Sequence, residues 1–560
     1  MAAIDIRKFF GQKPRVSDRL LPDEYASRIV EADVEDFALR PHQQPANTGV
    51  VFATEPKTIV PHYSAPTALL PNTAPGTFDG WFWLEHETNV VANVVPNDIY
   101  NRIYFLDDAE AFRITDGDNI SLSQTTESPT TDWPLGVPAP TTTPTVTIGG
   151  TPGGSPEFRT YVYTFVDRWG AEGPPSPVSD VIEVELNETV TVGNFDSAPA
   201  GYNFTGAKIR IYRTVTGSNA TDFQFVDEIS LGTATYVDSS LYEELGEILP
   251  SRQWFPPPEV EGFERLTNGC LAGFQNNTIY FSDPYLPHAW PPEYSITLDH
   301  KIIALKQFGG SLVALTNGTP YLIGGNLPQA PVESSYQVNE PCSFAKSALV
   351  IDNALYYASP NGLVRIDQNG VRNLSEESIT RRQWETLIQG SFNSAPYNNH
   401  YVGFFDTGGS SELDDPPVPA AGAFMFRPEE QDFLFYLDTA TAVTTRPDTE
   451  LLYHTVVDGS NWDLYEWNSG ASKSFTWESK VFTLPRPLNF SCGHIIADEY
   501  PVTLVVEGDE QQIAYIVVAT DDPFRLPALN KYMRYRFIIT SDYAVNQISI
   551  AQSIRELKEL

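Results

Sequence analysis

The pair of residues best placed to do chemistry is Asp283 and Glu293. They flank the aromatic, proline-rich stretch PYLPHAWPPEY. Two carboxylates beside stacking aromatics are what glycoside hydrolysis requires, one as acid and one as base or nucleophile. With 72 acidic residues in the chain, however, such a pair also arises by chance, and the stretch reads better as a rigid inter-blade loop with buried aromatics. A second candidate is the acidic turn DGDN, Asp116 to Asn119, which has calcium-type oxygens. It lacks the glycine and terminal glutamate spacing of a calcium loop and reads as a plain turn. The eight histidines (His42, His62, His86, His288, His300, His400, His454 and His494) are scattered singly, and Cys270, Cys342 and Cys492 form no CxxC pair. Neither a structural zinc site nor a disulfide framework is expected from them, and the cysteines read as small core residues.

Other chemistries lack their signatures. The chain carries no GxSxG elbow, Walker loop or HExxH helix, and GGTPGG lies in a Thr/Pro-rich stretch, not after a strand. No basic, aromatic-interleaved patch suggests binding to single-stranded nucleic acid. The expectation is a protein with no catalytic, cofactor-binding or metal-binding residues, and not an enzyme.

The elements that would position any site are strands. The chain has 560 residues, with 45 prolines, 37 glycines and 12% aromatics, and few long helical registers. That composition predicts an all-β, turn-rich architecture of several domains. Residues 1–70 read as an N-terminal arm with one short amphipathic helix over Asp23 to Val34, capped by Asp23 and closed by Pro41. GWFWLEHETNVVA and RIYFLDDAEAFRIT, within 71–123, read as the first strands of a β-propeller. Residues 124–154 are Thr- and Pro-rich and read as an extended linker. Residues 155–250 alternate in short strands with turns every eight to twelve residues, the pattern of a small sandwich similar to a fibronectin type III domain.

Residues 251–470 read as the main propeller region. CLAGFQNNTIYFSD, SLVALTNGTPYLIG and ALVIDNALYYASP share one plan, an apolar strand, a turn with Asn and an aromatic strand. Leu271, Leu312 and Leu349 recur roughly 40 residues apart, the period of a propeller blade. Thr380 and Gln383 form a capping box for a helix from Arg381 to Ile388, whose Trp384 and Leu387 should pack on the blades. Residues 471–560 read as a C-terminal β-sandwich in which Val502, Leu504 and Val506 point one way.

The formal net charge of −37 disfavours a general grip on nucleic-acid phosphates. It serves solubility, and it would also let DNA slide past an acidic wall without sticking. No run of eighteen apolar residues exists, so no membrane span is expected, and the first twenty residues lack the continuous apolar stretch of a signal peptide. Folding in a cytoplasm is the expectation.

Four stretches together carry a resemblance: GQKPRVSDRLLPDEYASRIVEADVEDFALRP; YFSDPYLPHAWPPEYSITLDHKIIALKQFGGSLVALTNGTPYLIGG; YYASPNGLVRI followed by ITRRQWETL; and FRLP with SIREL near the end. With them the chain resembles the tail nozzle, or tail tubular protein B-like, virion proteins of short-tailed bacteriophages. The resemblance implies a structural subunit at the distal end of the tail, made in the host bacterial cytoplasm. It would assemble as a homo-oligomeric ring, a hexamer, below the adaptor. The ring would hold tail fibres and let phage DNA pass through its lumen without specific binding. It implies no catalytic residue and no cofactor. A tail-borne receptor-binding protein or glycan hydrolase is the alternative. A ligand-binding propeller of the cell envelope is a third, requiring an export signal.

Overall fold

The computed structural model describes residues 3–63, 78–120, 128–214, 222–407, 420–527 and 530–558. Its class is all-β. Helix is confined, among these residues, to Arg381–Leu387, the final turn Ile554–Lys558 and a few single turns.

Among the described residues, seven antiparallel four- or two-stranded units, called sheets I to VII, follow one another along the chain, the sixth being one end of a larger sheet. Sheet I pairs Thr58–Tyr63 with Phe78–Leu84. Sheet II joins Val90–Ala92, Ile103–Leu106, Phe112–Thr115 and Trp133–Pro134. Sheets III (residues 262–297), IV (302–335), V (349–373) and VI (391–436) each run through four consecutive strands. Sheet VII takes Val443–Thr445, Leu452–Asp458 and Asn461–Glu466, and its fourth strand is Ala46–Phe52 from near the chain start.

Each sheet buries an apolar face against the next, and the last against the first. Phe82 and Leu84 of sheet I meet Ile103 and Phe105 of II. Tyr104 and Phe112 of II meet Phe263 and Leu271 of III. Ala272 and Phe281 of III meet Leu305 and Leu312 of IV. Val313 and Leu315 of IV meet Leu355 and Tyr357 of V. Tyr356 and Leu363 of V meet Phe392 and Phe424 of VI. Phe404 of VI meets Leu452 and Trp467 at sheet VII. Phe52, Tyr453 and Leu464 of VII close the cycle on Ile59, Trp81 and Trp83 of I. Successive strand residues point to opposite faces, so Leu312 serves the III–IV core while its neighbour Val313 serves IV–V. The predicted helix Arg381–Leu387 is present with its capping box, and Trp384 and Leu387 are fully buried in the V–VI core.

The repeat needs one correction of register. Leu271 and Leu312 both lie in the second strand of their sheets, but Leu349 opens the first strand of sheet V. Leu355, in Ala354–Ser359, takes the corresponding place. The turn at Asp352-Asn353 joins strands one and two, whereas the Asn turns at 276–277 and 317–318 join two and three. Short polar turns of both kinds look alike in sequence.

The expected helix over Asp23 to Val34 does not form. Tyr25–Val30 and Ala32–Glu35 are strands, separated by Glu31 at φ 57°. Tyr25–Val30 lies beside Phe10–Gln12 and antiparallel to Phe475–Ser479, which buries Ala26 and Ile29 completely. Distant strands supply partners that a local amphipathic pattern cannot reveal, and their burial overrides helix propensity. The chain start is thus woven into the C-terminal module. Ile4–Ile6 pairs with Val545–Ala551 in a second sheet, which packs on the first over one core containing Val502, Leu504, Val506 and Phe537. Strands Phe10–Gln12 and Tyr25–Val30 join this module to sheet VI in a continuous 11-stranded sheet.

Between sheets II and III lies an inserted sandwich whose described residues form eight strands. The Thr/Pro stretch is not all linker: Thr145–Gly150 is a strand paired along its length with Glu188–Gly193. Tyr161, Tyr163 and Phe165 fill the sandwich core as the alternation predicts. The other face of Tyr161–Val166 is covered too, with Val162 packed on Tyr212 and Leu249.

Candidate functional site

The first strand of every one of the seven sheets sits at a sheet edge. All seven line one cavity of about 830 Å³. The ring closure described above is what brings together residues as distant as Thr58, Val90, Phe263, Leu305, Leu349, Ala395 and Thr444. An edge strand carries unpaired backbone donors and acceptors, so the cavity wall is rich in polar backbone as well as side chains. Its size is that of a small-molecule site.

Charge in the cavity is nearly balanced. Lys57, Arg265, Lys306 and Lys346 stand against Glu87, Glu261 and Glu264. Lys306 lies 3.6 Å from Glu264, and Glu261 pairs with Lys301 at 2.9 Å. Lys346 makes the longest reach. It precedes sheet V, yet its Nζ donates to the Lys57 carbonyl before sheet I at 3.0 Å and pairs with Glu87, between I and II, at 3.0 Å. Sheet V lies three places round the cycle from both I and II, so this side chain bridges opposite walls. Burial lowers its pKa, opposed by the Glu87 carboxylate.

A second polar cluster lies outside the ring cavity. His42, fully buried, places Nδ1 3.2 Å from Asp33 Oδ2 and Nε2 3.3 Å from Asp438 Oδ2. Burial pulls His42 down, but the hydrogen bonds and charges of Asp33 and Asp438 outweigh it and hold the imidazole above its ordinary value. Burial pushes Asp438 up, and His42 and Lys473 reverse this, bringing it to about 2. Lys473 Nζ lies 2.9 Å from Glu31 Oε2 and 2.6 Å from Asp438 Oδ1. Glu31, His42 and Asp438 have ligand atoms within 4.8 Å of one another, the geometry of a metal cluster. The Lys473 ammonium already stands between two of these carboxylates and supplies the positive charge that an ion would.

The residues singled out in the sequence fall elsewhere. Asp283 is partly buried and accepts from Trp254 Nε1 at 3.1 Å; burial raises its pKa, with the Glu293 charge adding to the effect. Neither carboxylate lines the cavities of about 830, 410 and 290 Å³. The DGDN turn binds protein. Asp116, buried, accepts from Trp169 Nε1 at 3.1 Å, and Asp118 pairs with Arg168 at 3.0 Å. Trp169 also meets Trp133 edge-on at 5.5 Å, so this turn docks the inserted sandwich on sheet II. His288 is buried and burial drives it down to about 3. His86 Nε2 meets the Leu106 carbonyl, His454 Nδ1 meets that of Thr439, and His494 meets Asp521. Burial lowers His62 and His400, and His300 lies against Gly318 and Tyr321. Cys270, Cys342 and Cys492 are free and buried. Lys346, Lys473 and the His42 cluster carry no local sequence signature: Asp33 lies only nine residues from His42, but Lys346–Glu87, Lys473–Glu31 and His42–Asp438 join residues hundreds of positions apart.

No family model matches the chain. No curated protein matches it either. Among solved structures it is similar to PorZ, described as an essential bacterial surface component of the type-IX secretion system of Porphyromonas gingivalis. The identity is 10%, over 91% of this chain and 77% of that one, with a TM-score of 0.23. A likeness at that level carries no argument about function.

Proposed function

We propose that the chain is a structural tail nozzle subunit of a short-tailed phage, in which the seven sheets are the blades of a β-propeller and the inserted sandwich is a fibronectin type III-like module. In this reading it assembles as a homo-oligomeric ring, a hexamer, that joins the adaptor and tail fibres in the virion. The observation that carries the reading is the closed cycle of seven sheets, completed by Ala46–Phe52 and fused through an 11-stranded sheet to the C-terminal module. That construction makes a stiff body in which most sheet edges are short, and it suits a tube wall. The intramolecular cavity is small, nearly neutral and bridged by Lys346, so the DNA conduit of such a nozzle lies between subunits. The −37 charge then belongs to the ring lumen and its outer wall. Native mass measurement of the purified protein, together with immunogold labelling of virions, tests the reading. A six-fold assembly and label at the tail tip are expected; a stable monomer absent from virions would overturn it.

The glycan-hydrolase alternative has one observation in its favour, the charge of Glu293 acting on Asp283 beside Trp254. Release of reducing sugar from host polysaccharide, abolished by Glu293→Gln, would replace the structural reading with that one.

A further inference from the structure

The strand Gln511–Val518 reads QQIAYIVV, eight residues without a charge, a proline or a glycine. Among the described residues it closes one end of the 11-stranded sheet and pairs on one side only, with Val502–Gly508. Tyr515 and Val517 are 61% and 53% exposed. Opposite them on the same outer face stand Val505 and Thr503, which continue to Ile538 and Thr540. A long, apolar, uncharged edge is a template for pairing with another strand, and proteins ordinarily blunt such edges. This chain does so elsewhere: Phe482–Leu488 carries Pro485, Arg486 and Pro487, and Ala330–Ser335 carries Pro331 and Glu333. Here it does not.

We propose that Gln511–Val518 is an interface at which a second copy of this chain adds its own Gln511–Val518 antiparallel, across a two-fold axis. Two copies each carrying −37 repel wherever their acidic surfaces meet, so they approach most easily along a strand with no charge. A two-fold contact also requires self-complementarity. A two-fold ladder sets residues of the same face opposite each other; with Tyr515 on the axis, Ile513 faces Val517 and Ala514 faces Ile516 of the other copy, and no like charges oppose each other along it. The acids that flank the strand make contacts within their own chain. Arg534 pairs with Glu510 at 2.6 Å and lies 3.6 Å from Asp509, and Asp521 accepts from His494 at 3.0 Å. Overlap of seven residues makes a contact about 24 Å long. The apolar outer face beside it, Val505, Tyr515, Val517 and Ile538, extends the joint beyond the backbone ladder. This proposal stands whether or not the nozzle reading does.

Sedimentation velocity of the full chain over a concentration series, with the double variant Tyr515→Lys and Val517→Lys, tests it. Both side chains are exposed, so at concentrations where both proteins are monomeric the unfolding midpoint should not move. The wild type is expected as a dimer or an assembly of dimers, and the variant should dissociate at least about 100-fold more readily. A wild type that stays monomeric at all concentrations overturns the proposal and leaves the edge for a strand of a different protein. An assembly whose mass the variant does not change also overturns it, while leaving a ring built on other surfaces intact.

Discussion

Replacing Lys473 by Met removes the ammonium that bridges Glu31 and Asp438 and leaves a side chain of similar length. Both carboxylates are then buried, with side-chain exposures of 8% and 9%, and lose partners at 2.9 and 2.6 Å. Breaking a buried pair in this way costs about 3–5 kcal/mol. His42, still flanked by Asp33 and Asp438, compensates part of the charge, so the lower end, about 3 kcal/mol, is expected. The pH dependence has a definite sign. In the wild type Asp438 titrates at about 2, below its ordinary value. Its contribution is therefore present above the ordinary carboxylate range and is lost only as pH falls through about 2. In the variant Asp438 takes up a proton more readily, so the deficit should shrink between pH of about 7.5 and 5. Urea unfolding at both pH values measures the deficit, and hydrogen exchange over residues 25–41 shows whether the chain start loosens first. A deficit below about 1 kcal/mol, or one equal at both pH values, would refute the claim that Lys473 is the internal counter-ion of this cluster.

Three further outcomes are expected. His42→Ala should flatten the stability profile on its alkaline side. The raised imidazole contributes fully below its ordinary pKa and loses that contribution as pH rises through the folded value; unfolding titrations above neutrality check this. Trp169→Ala removes the hydrogen bond to Asp116 and the contact with Trp133, and limited proteolysis should then cut around residues 134–144 and 251–258 faster, without a change in the core melting transition. Thr380→Ala should lower stability by about 1 kcal/mol through loss of the cap on Arg381–Leu387, read by chemical denaturation.

Local patterns were legible where a residue's role depends on near neighbours. The hairpins at 271–281 and 311–326, the helix at Arg381–Leu387 and the alternation of Tyr161, Tyr163 and Phe165 all form from short-range turn and capping chemistry. The segment 23–34 was misread because its pattern fits a helix locally, while the strands that bury it come from residues 10–12 and 475–479.

By itself the sequence determined an all-β chain, strongly acidic, with hairpins roughly 40 residues apart, and with no local catalytic motif. Strand propensity, turn residues and net charge are properties of short windows or of the whole sum, so they survive without coordinates. Only the tertiary structure decided that seven sheets close on one another, that Lys346 spans the cavity between them, and that Asp33, His42, Asp438 and Lys473 form one buried ionic cluster. Those contacts join residues up to several hundred positions apart. Desolvation and charge pairing, which set the state of His42 and Asp438, exist only once the chain has brought them together.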